Sequence, residues 1–246
     1  MFGMFVCDFN GTGQEDVAFG NRAEIVEAKT VNQIRPVHFG VNYHETPLEF
    51  PLIFGTDRSL DRYEMQSIAL WLTGHQNYQW LQIDQPDMQN VMYHCIITEL
   101  QPISVGWVPH AFRATVRCDC PYAYSQEFEQ TYNITDKTEI LFRNESTIRD
   151  YFKPRLTIKP ASSVTNITIV NASDNDRTLQ FTDLPASNIE IFMDNERGIL
   201  TENSGYNLYD NFNMNFFRCV YGDNILEVDG NCEITISGRF LYNIAG

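Results

Sequence analysis

Seven short apolar alternations, with no helical period among them, restrict the second half of this chain to β-structure. Ile140/Phe142, Leu156/Ile158, Ile167/Ile169, Leu179/Phe181, Ile189/Ile191/Met193, Leu226/Val228 and Ile234/Ile236 each place apolar side chains two residues apart. Residues spaced by two lie on one face of a strand. Polar turns rich in Asn, Asp and Ser separate the runs, and short strands at such spacing predict a β-sandwich or jelly roll. Asp229-Gly230 reads as a hairpin turn joining the last two strands. All three tryptophans, Trp71, Trp80 and Trp107, precede Pro121–Ser125. This change of composition predicts a boundary near Ser125, with domains at 1–124 and 125–246.

The first half is organised around Ser59 to Tyr122. Asp61 is placed to cap a helix, with Glu64 three residues on to reach back to the cap. Met65, Ile68, Ala69 and Leu72 follow at i, i+3, i+4 and i+7 and form one apolar face. Gly74 supplies the stop through a left-handed conformation. Burying that face contributes on the order of 5–8 kcal/mol before entropy is set against it. Tyr63, Leu70 and Trp71 form a second apolar stripe on the opposite side. A surface helix needs one stripe only, so the second marks these three residues as an oligomer interface or as a face covered by the same chain.

After the helix, Tyr78–Ile83 reads as a strand, Gln85-Pro86-Asp87 as a turn, and Val91–Leu100 as a long strand apolar on both faces. Pro102 and Gly106 interrupt before the clearest strand. There Phe112, Ala114, Val116 and Cys118 face inward, while Arg113, Thr115, Arg117 and Asp119 face solvent. Upstream, Asn10-Gly11 suits a hairpin turn. Glu24–Lys29 and His38–Tyr43 read as further strands, with Pro36, Pro47 and Pro51 marking irregular backbone or sheet edges; the pattern of this opening region fits an arm as well as a sheet.

Composition excludes several functions. The net charge is −15 over 246 residues, the acidic excess is shared about evenly by the two halves, and no basic stripe exists to neutralise phosphates. Specific nucleic-acid binding and a polybasic membrane contact are therefore disfavoured. No apolar run approaches a bilayer span, and Met1–Asn10 carries no basic residue before its apolar run, so no secretory signal is expected. The six cysteines, Cys7, Cys95, Cys118, Cys120, Cys219 and Cys232, contain no C-x-x-C pair; reduced, buried thiols are expected.

No phosphate-binding loop, H-E-x-x-H, G-x-S-x-G or G-x-G-x-x-G occurs. His38 and His44 lack further ligands in the pattern, so no metal site is assigned. The acidic residues are dispersed, and no catalytic residue or cofactor site is assigned. Sequons at Asn10, Asn133, Asn144, Asn166 and Asn171 are expected from an Asn- and Thr-rich β-protein without glycosylation. A carbohydrate-binding, lectin-like module is the alternative reading of the second half. Sugar sites usually offer a flat aromatic; this half has no Trp but retains Tyr206, Tyr209 and Tyr221.

One resemblance covers most of the chain. The helix bearing Trp71-Leu72, the strand Tyr78–Ile83, the Asp84/Pro86/Asp87 turn, Val91–Leu100, and Phe112–Cys118 closing on Cys120-Pro121-Tyr122-Ala123 resemble, in that order, the N-terminal domain of siphophage distal tail proteins. Asn144-Glu-Ser146 before Pro154-Arg-Leu-Thr-Ile158, and Tyr221-Gly-Asp-Asn-Ile-Leu226 before Gly230 and Cys232–Ser237, are similar to the family's C-terminal sandwich. Residues 1–57 match least. The resemblance implies a mainly β fold: an N-terminal β-sandwich or split-barrel domain with one α-helix, then a C-terminal galectin-like, jelly-roll-type β-sandwich. It implies a non-enzymatic structural protein forming a hexameric ring at the distal tail tip, assembled in the bacterial cytoplasm. The tail tube protein and the tail-tip hub are the implied neighbours above and below, with baseplate or receptor-binding components held outside. DNA would pass the acidic ring without being held. The H-x-N-x-R pattern of sugar-binding galectins is absent, so galectin-like describes shape here and not ligand.

Overall fold

The computed structural model describes residues 5–6, 23–29, 34–43, 46–86, 88–185 and 189–243. Asn10-Gly11, Cys7 and His44 lie outside the described residues. The chain is mainly β and divides into two compact units, Met1–Tyr124 with Asn243–Gly246, and Ser125–Tyr242.

The first unit is built on a five-stranded antiparallel sheet in the order β1 (Phe5–Val6), β4 (Glu49–Gly55), β7 (Val108–Cys118), β6 (Tyr93–Val105), β5 (Gln79–Leu81). The alternation read along Phe112–Cys118 is the structural one: Phe112, Ala114, Val116 and Cys118 are buried, while Arg113 and Arg117 are exposed. The one α-helix among the described residues, α1 (Arg62–Thr73), packs Ile68 fully inside, with Met65 and Leu72 against Phe54, Leu60, Phe112 and Ala114. A separate hairpin of β2 (Ala23–Ala28) and β3 (Val37–Tyr43) completes the larger elements, and β8 (Ala123–Tyr124) pairs with Met92 through two backbone bonds of 2.8 Å.

Three local expectations are corrected in this unit. Gly74 ends the helix in a right-handed conformation (φ −76°), not a left-handed one. Glycine is needed there for space, because a Cβ would lie 2.4 Å from the Leu70 carbonyl oxygen that accepts the Gly74 N–H. The strand read at Tyr78–Ile83 shortens to Gln79–Leu81, whereas the next lengthens to Tyr93–Val105 and runs through Pro102. Pro102 sits opposite Phe112, beyond the part of β6 covered by β5. Its missing N–H therefore breaks no ladder bond.

The second unit is a sandwich of two antiparallel sheets. One is β10 (Lys137–Asn144), β16 (Gly222–Asp229), β12 (Ile167–Asn171), β13 (Arg177–Phe181). The other is β15 (Ile199–Glu202), β14 (Ile191–Asp194), β11 (Arg155–Pro160), β17 (Cys232–Gly238), β9 (Phe128–Ile134). A short β18 (Leu241–Tyr242) ends it. All seven alternations point into one core, closed at one end by Phe128, Phe142, Phe152 and Phe240, whose rings pack at 4.4–6.5 Å.

The Asp229-Gly230 turn is not a hairpin. It carries the chain from β16 in one sheet to β17 in the other. Gly230 has φ +122°, and a Cβ there would meet the Asn166 carbonyl at 2.8 Å, so the crossing needs glycine. Both strands present their inner faces to the same core from opposite sides, and a period of two reports only which face is inward.

Buried amides brace the loops. Asn171 donates to the Asn224 side chain at 2.9 Å and to the Arg218 carbonyl at 3.1 Å. Asn144 donates to the Val220 carbonyl. Two of the sequon asparagines, Asn144 and Asn171, are thus each 1% exposed and committed to the fold.

Candidate functional site

The first unit carries its chemistry on the outside, in three apolar surfaces. The helix stripe is the one legible in the sequence: Tyr63, Leu70 and Trp71 are 79%, 71% and 55% exposed. They project from the side of α1 opposite Ile68 because residues seven and eight apart share a helix face. The start of the helix is firmly held. The Asp61 carboxylate accepts the Tyr63 and Glu64 N–H groups at 2.8 Å, and Glu64 accepts the Asp61 N–H at 3.1 Å. Arg58 forks onto Glu64 at 2.6 and 2.9 Å. That guanidinium, with the Asp61 N–H, lowers the Glu64 carboxyl to about 2.

The second surface, the β2–β3 hairpin, was read only as two strands. Ile25 and Val41 pair across the ladder, and beyond a register shift at Phe39 the strand also carries Val37, which pairs with Ala28. Ile25, Val37, Phe39 and Val41 are exposed, Phe39 most of all. A lone two-stranded sheet is marginal in water, and this one carries these apolar side chains exposed.

The third is the tip of the β6–β7 hairpin. Gly106 and Trp107 have φ of +59° and +70° between the paired Val105 and Val108, a two-residue turn with both central residues left-handed. Such turns favour Asn-Gly or Gly-Gly; a bulky residue at positive φ is strained. Trp107 is wholly exposed. The signal available in the sequence was Gly-Trp between two valines.

One polar cluster sits at the start of β6. His94 Nδ1 lies 2.6 Å from the Asp119 carboxylate, the Tyr124 hydroxyl donates to the same carboxylate, and Trp80 stacks on the imidazole at 4.5 Å. Asp119, expected to face solvent freely, is instead half-buried here. The Cys120 thiol donates to the Tyr122 carbonyl and to the Tyr124 hydroxyl. Burial pushes both the Cys120 thiol and the Tyr124 phenol above their ordinary ranges. Neither supplies an anionic nucleophile near neutral pH, so the cluster serves to bind Asp119–Tyr124 onto β6.

Among the described residues, no group of three or more His, Cys, Asp or Glu is arranged to hold a metal ion, and His38 is exposed on its own hairpin. No described helix is long and apolar enough to cross a membrane. The apolar void lined by Ile140, Leu156, Ile169 and Phe217 is about 10 Å³, where small-molecule sites span about 300–1,000 Å³. Tyr206, Tyr209 and Tyr221 are half-exposed. Tyr206 donates its hydroxyl proton to Asn211, and the Tyr209 hydroxyl accepts the Leu200 N–H.

Fold and surfaces together define a mainly β protein with exposed apolar residues on its helix, on the β2–β3 hairpin and at Trp107. The chain belongs to a phage tail protein family: the model described as "Phage tail protein N-terminal domain" matches residues 1–120, and "Phage tail C-terminal domain" matches 122–238. Among solved structures, the Dit (gp 19.1) protein of phage SPP1, titled a paradigm of hub adsorption apparatus in phages infecting Gram-positive hosts, has a similar fold. It aligns over 98% of this chain and 100% of its own at a TM-score of 0.64 and 12% identity. A chain of the phage P2 baseplate, in its activated conformation with Ca, aligns over 95% and 96% at 0.49 and 11%, too distant to add to the argument. No curated protein matches the chain.

Proposed function

We propose that this tail protein assembles into a homo-hexameric ring at the distal end of a phage tail. The first unit forms the ring, between the tail tube protein and the tail-tip hub. The second unit is a platform outside it for baseplate or receptor-binding components. Its role is structural and not enzymatic, assembly takes place in the bacterial cytoplasm, and the ring's acidic copies let DNA pass without holding it.

The observation that supports this reading is the exposed apolar helix stripe of Tyr63 and Leu70, with Trp71 half-exposed beside them, on a unit that also carries exposed apolar residues on the β2–β3 hairpin. Two different apolar faces on one chain suit a head-to-tail contact, which closes into a ring when its rotation allows. The test is mass measurement and negative-stain imaging of the purified full-length chain. Six-fold rings with an open centre are expected; a monomer at all concentrations would sink the proposal. The half-exposed tyrosines favour a lectin-like role for the second unit as a lesser reading, for which saturable glycan binding is the test.

A further inference from the structure

Cys95 and Cys118 stand directly opposite each other on β6 and β7. In the neighbouring position the Asp119 N–H donates to the His94 carbonyl at 2.9 Å, while the Cys118 N–H turns the other way and donates to the Leu48 carbonyl at 2.8 Å. Antiparallel ladders alternate hydrogen-bonded and non-hydrogen-bonded pairs, so Cys95/Cys118 is of the second kind. Such pairs bring their Cα atoms to about 4.5 Å and their side chains closest together. Two cysteines can be bridged when their Cα atoms are about 4.4–6.8 Å apart. Both thiols are free, and both lie on the buried face, 5% and 1% exposed.

We infer that Cys95 and Cys118 are a modification site: they form a cross-strand disulfide when the protein meets an oxidant, stapling the base of the hairpin that carries Trp107. The pairing rests on sheet register alone. Its timing rests on the proposed tail function, in which a chain made in a reducing cytoplasm goes on to work outside the cell. The oxidant is a peroxide, small enough to reach a buried thiol. One thiol, ionised to its thiolate, attacks the O–O bond and becomes a sulfenic acid, and the departing hydroxide takes up the released proton as water; the second thiol attacks that sulfur, the S–S bond forms and a second water leaves. Two thiols and one peroxide thus give one disulfide and two waters. Burial raises Cys95 to about 11 and Cys118 to about 12, with Asp119 adding to both and Cys95 and Cys120 adding to Cys118. Thiolate is therefore scarce at neutral pH and the step is slow.

The test uses the full-length chain, reduced, freed of reductant, and incubated with hydrogen peroxide. Non-reducing peptide mapping should find Cys95 joined to Cys118 with loss of two hydrogens, reversed by reductant. Titratable thiols in denaturant should fall from the six of the sequence to four. Cys120→Ala should keep the link and Cys95→Ala should abolish it. Six remaining thiols, a link that uses Cys120, or oxidation of Cys95 or Cys118 only to sulfinic acid would overturn the pairing. Mass measurement on the same samples scores rings separately: rings without the link remove the staple and spare the assembly, and the link without rings does the reverse.

Discussion

Truncating Trp71 to alanine distinguishes an assembly surface from a core residue. Its side chain is 55% exposed. A tryptophan presents up to about 250 Å², so roughly 140 Å² remains for a neighbour to cover, about 3 kcal/mol at 25 cal/mol per Å². The part already packed against its own chain, roughly 110 Å², limits the loss within an isolated subunit to about 2.8 kcal/mol by the same conversion. About 3 kcal/mol corresponds to roughly 10²-fold in affinity. Trp71→Ala should therefore raise the protein concentration needed for half-assembly by about two orders of magnitude, read by sedimentation velocity over a dilution series. Thermal unfolding on the same samples supplies the second axis. An interface residue gives a melting defect that shrinks as protein concentration rises. Leu70→Ser is the cleaner companion, since a side chain 71% exposed should leave subunit stability within about 0.5 kcal/mol and still weaken assembly. A Trp71→Ala chain that melts early at every concentration yet forms intact rings would refute the assignment and return the stripe to intramolecular packing.

Four further outcomes follow from the geometry. Asp61→Ala removes the cap that accepts two N–H groups at 2.8 Å and should cost about 1 kcal/mol, seen as earlier thermal loss of helical signal. Glu64 has its carboxyl lowered from 4.5 to about 2, chiefly by Arg58. Its contribution is therefore complete above about 4.5 and lost as pH falls toward 2, and Glu64→Gln should flatten the acid titration of stability in that window. Arg218→Ala strands the Asp174 carboxylate, 3% exposed and held by the Arg218 fork at 2.7 and 3.1 Å. That should cost about 3–5 kcal/mol in urea unfolding of the second unit; a loss below about 1 kcal/mol would show that water replaces the fork. Trp107→Gly relieves a left-handed tryptophan and should stabilise the hairpin by about 1 kcal/mol, measured by differential scanning calorimetry.

What could be read in advance was whatever one face of one element decides. Phe112–Cys118 alternates because one side of its sheet is under a helix, and Asp61-x-x-Glu64 caps because both partners lie within one turn. Strand β9, Phe-Glu-Gln-Thr-Tyr-Asn-Ile, gave no such signal: it is a sheet edge with most side chains outward, so nothing forces it to alternate. Asp229-Gly230 fits a hairpin and a crossing between sheets equally well, and only the pairing partners tell them apart. His94 and Asp119 meet across a ladder, as do Cys95 and Cys118, and the register that joins them passes a bulge between Ile97 and Glu99. The alternation of either strand taken alone does not contain that register. The exposed stripe of Tyr63, Leu70 and Trp71 was legible because a second apolar stripe on a helix is itself anomalous. The exposed apolar residues of the β2–β3 hairpin were not, because an apolar strand is ordinary until its neighbours are known.

The two units meet the cost of folding in different ways. The second fills a sandwich from both sheets with large side chains, among them Phe142, Phe181, Leu156 and Ile191. Its buried amides are bonded to backbone, and among the described residues no buried side-chain nitrogen or oxygen lacks a partner. Such a body gains little from a neighbour. Among the described residues, the first unit has a small cluster under its helix, centred on Ile68, Phe54 and Phe112. It leaves all three tryptophans at its surface, at 44%, 55% and 99% exposure. Tryptophan is the residue most enriched at the anchoring points of protein interfaces, and a tight turn does not hold one at positive φ without some return. Conformational entropy is charged per residue whether or not a core is large, so the unit whose described core is smaller has more to gain from burying its exposed apolar residues against another subunit. The same exposed residues are therefore the ones that suit this unit to the proposed ring.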